Sequence, residues 1–444
     1  MLILVPDRAR GLGVFDASML VMGGVVGVGI FFTPGRVAAY VPDATLFLGL
    51  WVLGGAIALC GAGTFAELAG TFPRTGGWFV YLREAFGRFP AFLFAWIVLF
   101  VVSTGAVAVV ADFCVHQASV ALRGSGADAL AAGEARWAAG GLVAGLTVVA
   151  LLGVRASSRL QSVTMVAKLG AVAVLVGASL LVLGGGGGAE AVPVREASAF
   201  SWGNGVQGLL SALFAYGGWQ LVTYIASDVR DPERNAPRAL WWGMSAVVLT
   251  YLAFNACALG VLGIDGLAGS NAFAADWAEA TLGAWGGTFV AGVMALSAFG
   301  TCAAILLASP GLYVAMAREG LFFRVFGELN ARQAPVAALL LQGVVTLAYV
   351  SWGEAGDLIE SVVFAEWVFH FLAGAALLSI RVRRPDLPRP FRSPAYPLMP
   401  LVYAGCALVV VVLSLSETEL AVTGPGLVWI AVGSVVYPLW RRWF

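Results

Sequence analysis

The chain has 444 residues, 60% of them hydrophobic and 11% charged, with 57 glycines and a formal net charge of zero. That composition excludes a soluble globular protein and gives no footing for nucleic acid or an acidic partner. It describes a chain that lives in a lipid bilayer.

A spanning helix needs about 20 largely apolar residues. Twelve such windows can be drawn, at 15–41, 45–70, 90–115, 137–154, 157–183, 202–226, 239–263, 286–316, 334–351, 357–380, 397–415 and 423–440. The apolar run after Arg8 and Arg10 continues past the length of a signal-peptide core, so the first window is expected to remain in the mature protein. It contains Gly23, Gly24, Gly27 and Gly29 and ends in Thr33-Pro34-Gly35. Clustered glycines lower the cost of unwinding a helix, and irregular backbone at membrane depth is tolerated where it is buried in protein or lines a cavity. Close packing of small residues is the competing reading.

The fifth window holds Lys168, the only lysine; the other 24 basic residues are arginine. An ionisable group at that depth marks a functional site. An ammonium, unlike a guanidinium, can also lose its proton when desolvated. A purely stabilising amine satisfied by carbonyls is the alternative. The sixth window carries Phe214-Ala215-Tyr216-Gly217-Gly218-Trp219, a second glycine break. Breaks in the first and sixth windows would be equivalent positions of an inverted repeat of five spans each, the sequence pointer to a transporter site. Half-helix N-termini would then face an anionic group and C-terminal carbonyls a cation, which suits a zwitterion.

In the eighth window Thr301 offers a hydroxyl, either to the site or back to its own helix. In the tenth, Glu366 and His370 form an i, i+4 pair that fits either a proton relay or lateral packing. Glu67 and Asp112 fall toward span ends, and no carboxylate is expected near the two breaks. The stretches 264–285 and 381–396 read as loops, and Gly184 to Gly188 as a flexible external one. Cys60, Cys114, Cys257, Cys302 and Cys406 lie in or beside apolar windows without metal spacing, so no metal or cofactor is expected. Twenty arginines fall in one alternating set of connections and four in the other, which predicts cytoplasmic termini.

GVGIFFTPG in the first window and FAELAGTFPRTGGWFVYLREAFG after the second resemble the amino acid-polyamine-organocation superfamily. FAYGGWQ with DVRDPERNAPRAL, YVAMAREG, and RPDLPRPFRSPAYPLMP resemble its L-amino-acid transporter branch more narrowly. The similarity covers essentially the whole chain in the right order. It implies an all-α membrane protein with a leucine-transporter-like fold. That means repeats at 1–184 and 200–380, broken helices one and six, a further pair of helices at 396–444, and alternating access.

Carried over residue by residue, the resemblance assigns the substrate carboxylate to the backbone of Gly27, Val28 and Gly29. It assigns the amine to the carbonyls of Val25, Val26 and Phe214. Phe214 also matches an aromatic gate, whose alternative is a lipid-facing or packing ring. Tyr216, Gly217, Gly218 and Trp219, with Thr301, would shape the side-chain pocket. Lys168 matches a lysine whose ammonium, in sodium-independent members, takes the place of a sodium ion and ties the first span to the eighth. Sodium would then be unnecessary. A fixed charge fits exchange, and a titrating one proton symport.

Two positions depart from the family pattern. Val28 stands where many relatives have Ser or Thr, leaving carboxylate recognition to backbone amides. Ser309-Pro310 replaces the usual Ser-Arg and admits a proline kink. The neutral residues around the breaks imply a neutral amino acid. Animal members of the branch bond a single-span glycoprotein through a cysteine after the third span, and residues 116–136 contain none, so no disulfide-linked subunit is expected. The GC-rich style of the sequence points to a bacterial inner membrane. A membrane enzyme would need converging catalytic groups, yet only His116 and His370 supply imidazoles. A receptor would be expected to carry a soluble extension, of which the sequence has none.

Overall fold

Inside a bilayer the backbone must satisfy its own hydrogen bonds, so apolar runs of this length are driven into helices. The computed structural model describes residues 11–123, 130–187, 201–270, 272–352, 355–417 and 420–443, and is helical throughout, with no strand among them. Arg8, Arg10, Gly188 and Arg195, all used in the sequence reading, lie outside the described residues.

The first window is divided into α1 (Val14–Val25), a 3-10 turn (Gly29–Phe31) and α2 (Thr33–Tyr40). Next come α3 (Ala44–Thr71), capped by the Asp43 carboxylate on the Leu46 amide, and α4 (Gly77–Phe86) in the connection. The third window is α5 (Arg88–Ile97) joined to α6 (Ser103–Arg123) by a π-helical turn, followed by α7 (Ala132–Leu151) and α8 (Val154–Gly184). The sixth window is split into α9 (Trp202–Ala215) and the short α10 (Leu221–Tyr224). Then follow α11 (Pro232–Gly269), α12 (Phe273–Leu282), α13 (Gly286–Ala308) and α14 (Pro310–Arg318). α15 (Val336–Trp352), α16 (Ala355–Arg383), α17 (Leu398–Glu417) and α18 (Leu420–Trp443) complete the chain. Among the described residues six stretches, including α3, α8 and α11, are long and apolar enough to cross a membrane, and α1, α15, α17 and α18 contribute shorter apolar helices.

One expectation changes. The 264–285 stretch is not all loop: Phe273, Ala274, Trp277 and Ala278 fall on one face of α12 and are buried. Trp277 packs edge-on against Phe254 and donates to Ser179 of α8, so a short polar-looking segment is held as a helix. Within α11 the helix is interrupted at Gly263, whose φ of 68° only glycine adopts freely, where the seventh window was expected to end. Pro310 opens α14 directly after α13, with Ser309 between them in helical dihedrals.

Lipid tails are as apolar as leucine, so the bundle is held by close packing rather than by water exclusion. Glycines make the room. A Cβ on Gly55 would meet Val248, and one on Gly61 would meet Tyr403 and Trp219. α1 is gripped between α8 and α11, and α2 lies along α9, which brings the two interrupted windows together.

Candidate functional site

The breaks touch through bare backbone. Gly218 has φ 104°, and a Cβ there would overlap the Gly24 carbonyl; conversely, a Cβ on Gly24 would lie 2.5 Å from the Gly218 oxygen. Glycine at both positions is what lets the segments cross. Gly29 sits close by, its Cβ position 3.3 Å from the Ala215 Cα and 3.8 Å from the Phe214 ring.

A helix that stops in mid-bundle leaves carbonyls at one end and amides at the other. At the end of α1 the Val25 carbonyl accepts from the Tyr251 hydroxyl at 2.8 Å, and the same hydroxyl lies 3.2 Å from the Ala215 carbonyl at the end of α9. The Val26 carbonyl accepts from the Lys168 ammonium at 2.9 Å and the Ser297 hydroxyl at 3.1 Å. Lys168 is 1% exposed and runs beside Gly300. The first break is therefore tied to α8 by Lys168 and to α13 by Ser297. Among the described residues Lys168 has no carboxylate partner, so backbone dipoles neutralise it.

On the amide side, Gly27 is committed to the Val25 carbonyl at 2.6 Å. The amides of Val28, Gly29 and Ile30, opening the turn toward α2, find no acceptor among the described residues. The three amides without an acceptor thus lie one residue further along than Gly27, Val28 and Gly29, the three named from the sequence. Of the expected amine acceptors, Val25 and Val26 already hold donors, and the Phe214 carbonyl accepts from Gly217 at 3.2 Å. The Phe214 ring is 40% exposed, 6.1 Å from Phe32.

Tyr216 and Trp219 face the scaffold. Tyr216 donates to the Trp51 carbonyl and packs edge-on against Trp51 and tilted against Tyr251, while Trp219 packs against Phe65 and Tyr403. Gly217 has open space apart from the Phe214 carbonyl. Thr301 bonds back to Ser297, yet its hydroxyl also lies 3.0 Å from where a Cβ on Gly27 would stand, so it borders the break.

Tyr251 and Gln220 had no place in the sequence reading. A tyrosine within an apolar window needs a partner for its hydroxyl, and that signal was available. The expectation of no carboxylate near the breaks is corrected: Gln220, two residues after Gly218, donates to Glu366 at 2.7 Å. Contact between residues 146 apart in sequence cannot be read from local pattern.

At the arginine-rich face a cavity of about 440 Å³ is lined by Arg74, Arg83, Asp228, Arg318 and Glu319 among others. Burial works against the Glu84 carboxylate, but bonds from Arg83 and Arg384 outweigh it and hold its pKa below the ordinary range. Asp228 is pushed up to about 6 by burial, against the attraction of Arg318. No group of side chains among the described residues could hold a metal ion.

Residues 12–437 match the amino acid permease family model. The chain is 30% identical to the b(0,+)-type amino acid transporter 1 of Rattus norvegicus, over 87% of this chain and 79% of that protein. It is 28% identical to the cystine/glutamate transporter of Homo sapiens, over 96% and 84% of the two chains. Identity to the large neutral amino acids transporter small subunit 2 of Homo sapiens is 29%, over 98% and 81%.

Proposed function

The chain belongs to the amino acid permease family, and from that premise we propose that it is a sodium-independent secondary transporter exchanging neutral L-amino acids by alternating access. Its relatives are amino acid transporters by name, and transport of amino acids across a membrane is the part of the reading they support directly. The finer reading rests on one observation: two interrupted helices meet at Gly24 and Gly218, with free amides on one side and carbonyl ends on the other. That is a complementary surface for a zwitterion.

Val28, Gly29 and Ile30 take the carboxylate in this scheme. Of the carbonyls assigned to the amine, Val25 and Val26 each already accept two hydrogen bonds and would have to release a donor to take it, whereas Phe214, holding the Gly217 amide, has a lone pair to offer. Gly217 leaves space for a side chain, Thr301 borders it, and Phe214 covers it. The lysine presents a single positive charge to Val26 where a sodium ion would otherwise be needed. A 5+5 repeat, cytoplasmic termini and a bacterial inner membrane complete the proposal, without a disulfide-linked subunit. Proton symport is the second reading, in which the Lys168 ammonium titrates during the cycle.

Uptake of radiolabelled alanine, serine and leucine into sodium-free proteoliposomes tests this. Exchange predicts uptake only into vesicles preloaded with unlabelled amino acid, with no accumulation driven by a pH gradient in empty ones. Gradient-driven uptake into empty vesicles would replace exchange by symport, and no uptake under either condition would remove the transport reading.

A further inference from the structure

Two carboxylates in this bundle, Glu67 fully buried and Glu366 with its side chain 27% exposed, are treated differently. Glu67, fully buried in α3, receives two bonds from Arg381 at 2.6 and 2.7 Å, one from the Ser393 amide at 2.7 Å, and the charge of Arg389 at 3.4 Å. It is neutralised in place. Glu366 in α16 has no arginine or lysine within ion-pair distance among the described residues. Its contacts are the neutral Gln220 amide at 2.7 Å and the His370 Nε2 at 3.9 Å. A part-buried carboxylate inside the bundle without a cation carries a desolvation cost that binding a proton removes.

The surroundings say what can bind. His370 is ringed by Trp78, Trp367 and Tyr403, with centroids at 4.8, 5.0 and 5.7 Å, and by Trp219 at 6.3 Å. Its Nδ1 is paired with the Tyr403 hydroxyl. Aromatic rings fill the space that a cationic side chain would require, whereas a proton requires none. The titratable groups facing Glu366 are His370 on its own helix, Tyr224 at the end of α10, and Tyr403 on α17.

Gln220 completes the site. It is 3% exposed, its Nε2 donates to Glu366, and its Oε1 is buried without a partner. When Glu366 is ionised, the amide must donate to it. When Glu366 is protonated, the new O–H can donate to Gln220 Oε1 once the amide rotates, and the unpaired acceptor is satisfied. One proton therefore reverses the direction of the bond that anchors the second break.

We propose that Glu366 is a proton-binding site wired through Gln220 to the broken sixth segment, so that its protonation biases the rearrangement of that segment during transport. The proposal rests on the transport reading for its consequence, but its test does not. Infrared titration of the purified protein, from about pH 5 to about pH 9, reads protonated carboxyl groups directly. The expected result is a protonated-carboxyl band that titrates in this range, is absent from Glu366→Gln, persists in Lys168→Ala, and shifts its midpoint in Gln220→Leu.

Should Glu366→Gln fail to purify, Gln220→Leu keeps the carboxyl and reports through the same midpoint. A spectrum in which neither variant alters any titrating band overturns the site. A band lost in Glu366→Gln but unmoved by Gln220→Leu overturns the wiring. In proteoliposomes a single titrating group changes its minor protonation state about tenfold per pH unit beyond its pKa, so wild-type exchange is expected to be pH-dependent and Glu366→Gln exchange flat. Absence of any wild-type transport would fail the transporter reading while leaving the infrared result to decide the proton site.

Discussion

The Tyr251 hydroxyl is hydrogen-bonded to the Val25 carbonyl at 2.8 Å, 226 residues away in sequence, and holds the buried carbonyl end of α1 against α11. Its second acceptor, Ala215, makes it a bridge between the carbonyl ends of both half-helices. Removing it in Tyr251→Phe leaves two carbonyls without that donor. Each neglected polar group costs about 1–3 kcal/mol. Initial exchange rates in proteoliposomes are expected to fall roughly tenfold, which is about 1.4 kcal/mol in the barrier. An unchanged rate would confine Tyr251 to packing.

Lys168→Ala removes the charged donor from Val26 and leaves Ser297 alone on that oxygen. A charge-assisted bond is worth about 2 kcal/mol, or roughly thirtyfold in rate if it acts wholly on the barrier. Transport is expected to collapse while the protein still inserts and purifies. Near-normal uptake by inserted variant would strip the lysine of its role.

Gly29→Leu places a side chain against Ala215 and Phe214, where the proposed ligand lies, and is expected to abolish saturable substrate binding in a scintillation proximity assay. Gly218→Ala forces a Cβ into the Gly24 carbonyl and, at φ 104°, adds backbone strain of about 1–3 kcal/mol. Normal affinity in the first variant would mean that these glycines only pack helices.

Glu67→Ala strands Arg381 and Arg389 beside a buried hole and leaves the Ser393 amide without its acceptor. Breaking a buried pair from one side costs about 3–5 kcal/mol. The melting temperature in detergent is expected to drop by several degrees, with a smaller drop for Glu67→Gln. Equal stability of Glu67→Ala and wild type would show that the arginines find water instead.

Asp228 binds its proton more tightly in the fold, with a pKa of about 6 against an ordinary 3.8. The associated stability is present below 3.8 and is lost as pH rises through 6. Between about pH 5 and about pH 8 this amounts to about 1 kcal/mol. Melting curves at those two pH values should show a smaller difference for Asp228→Asn than for wild type. Identical differences would assign the pH dependence elsewhere.

How far the sequence carried the structure depended on range. Glycine runs act on the residues that contain them, so both breaks were legible. Lys168 stood out because one ammonium in an apolar helix has few tolerable fates, and its target in the first window follows from resemblance. Tyr251 and Glu366 were opaque in their partners because these belong to other helices, and a hydroxyl or carboxylate at span depth fits packing equally well. Trp219 was expected beside the pocket. Its ring turns to Phe65 because Gly218 bends the chain with a dihedral that no neighbouring residue encodes. α12 was missed because ten residues carry too little apolar periodicity to distinguish a short helix from a connection.

Where Gly24 meets Gly218, the two interrupted strands cross with nothing between them but peptide groups. Side chains can yield by changing rotamer; crossed backbones cannot. Displacement of either strand along its path is therefore handed directly to the other, and a molecule gripped by one is felt by both. In the proposed transport cycle such a joint would suppress half-moved states in which only one side has released its cargo, the states through which a carrier leaks.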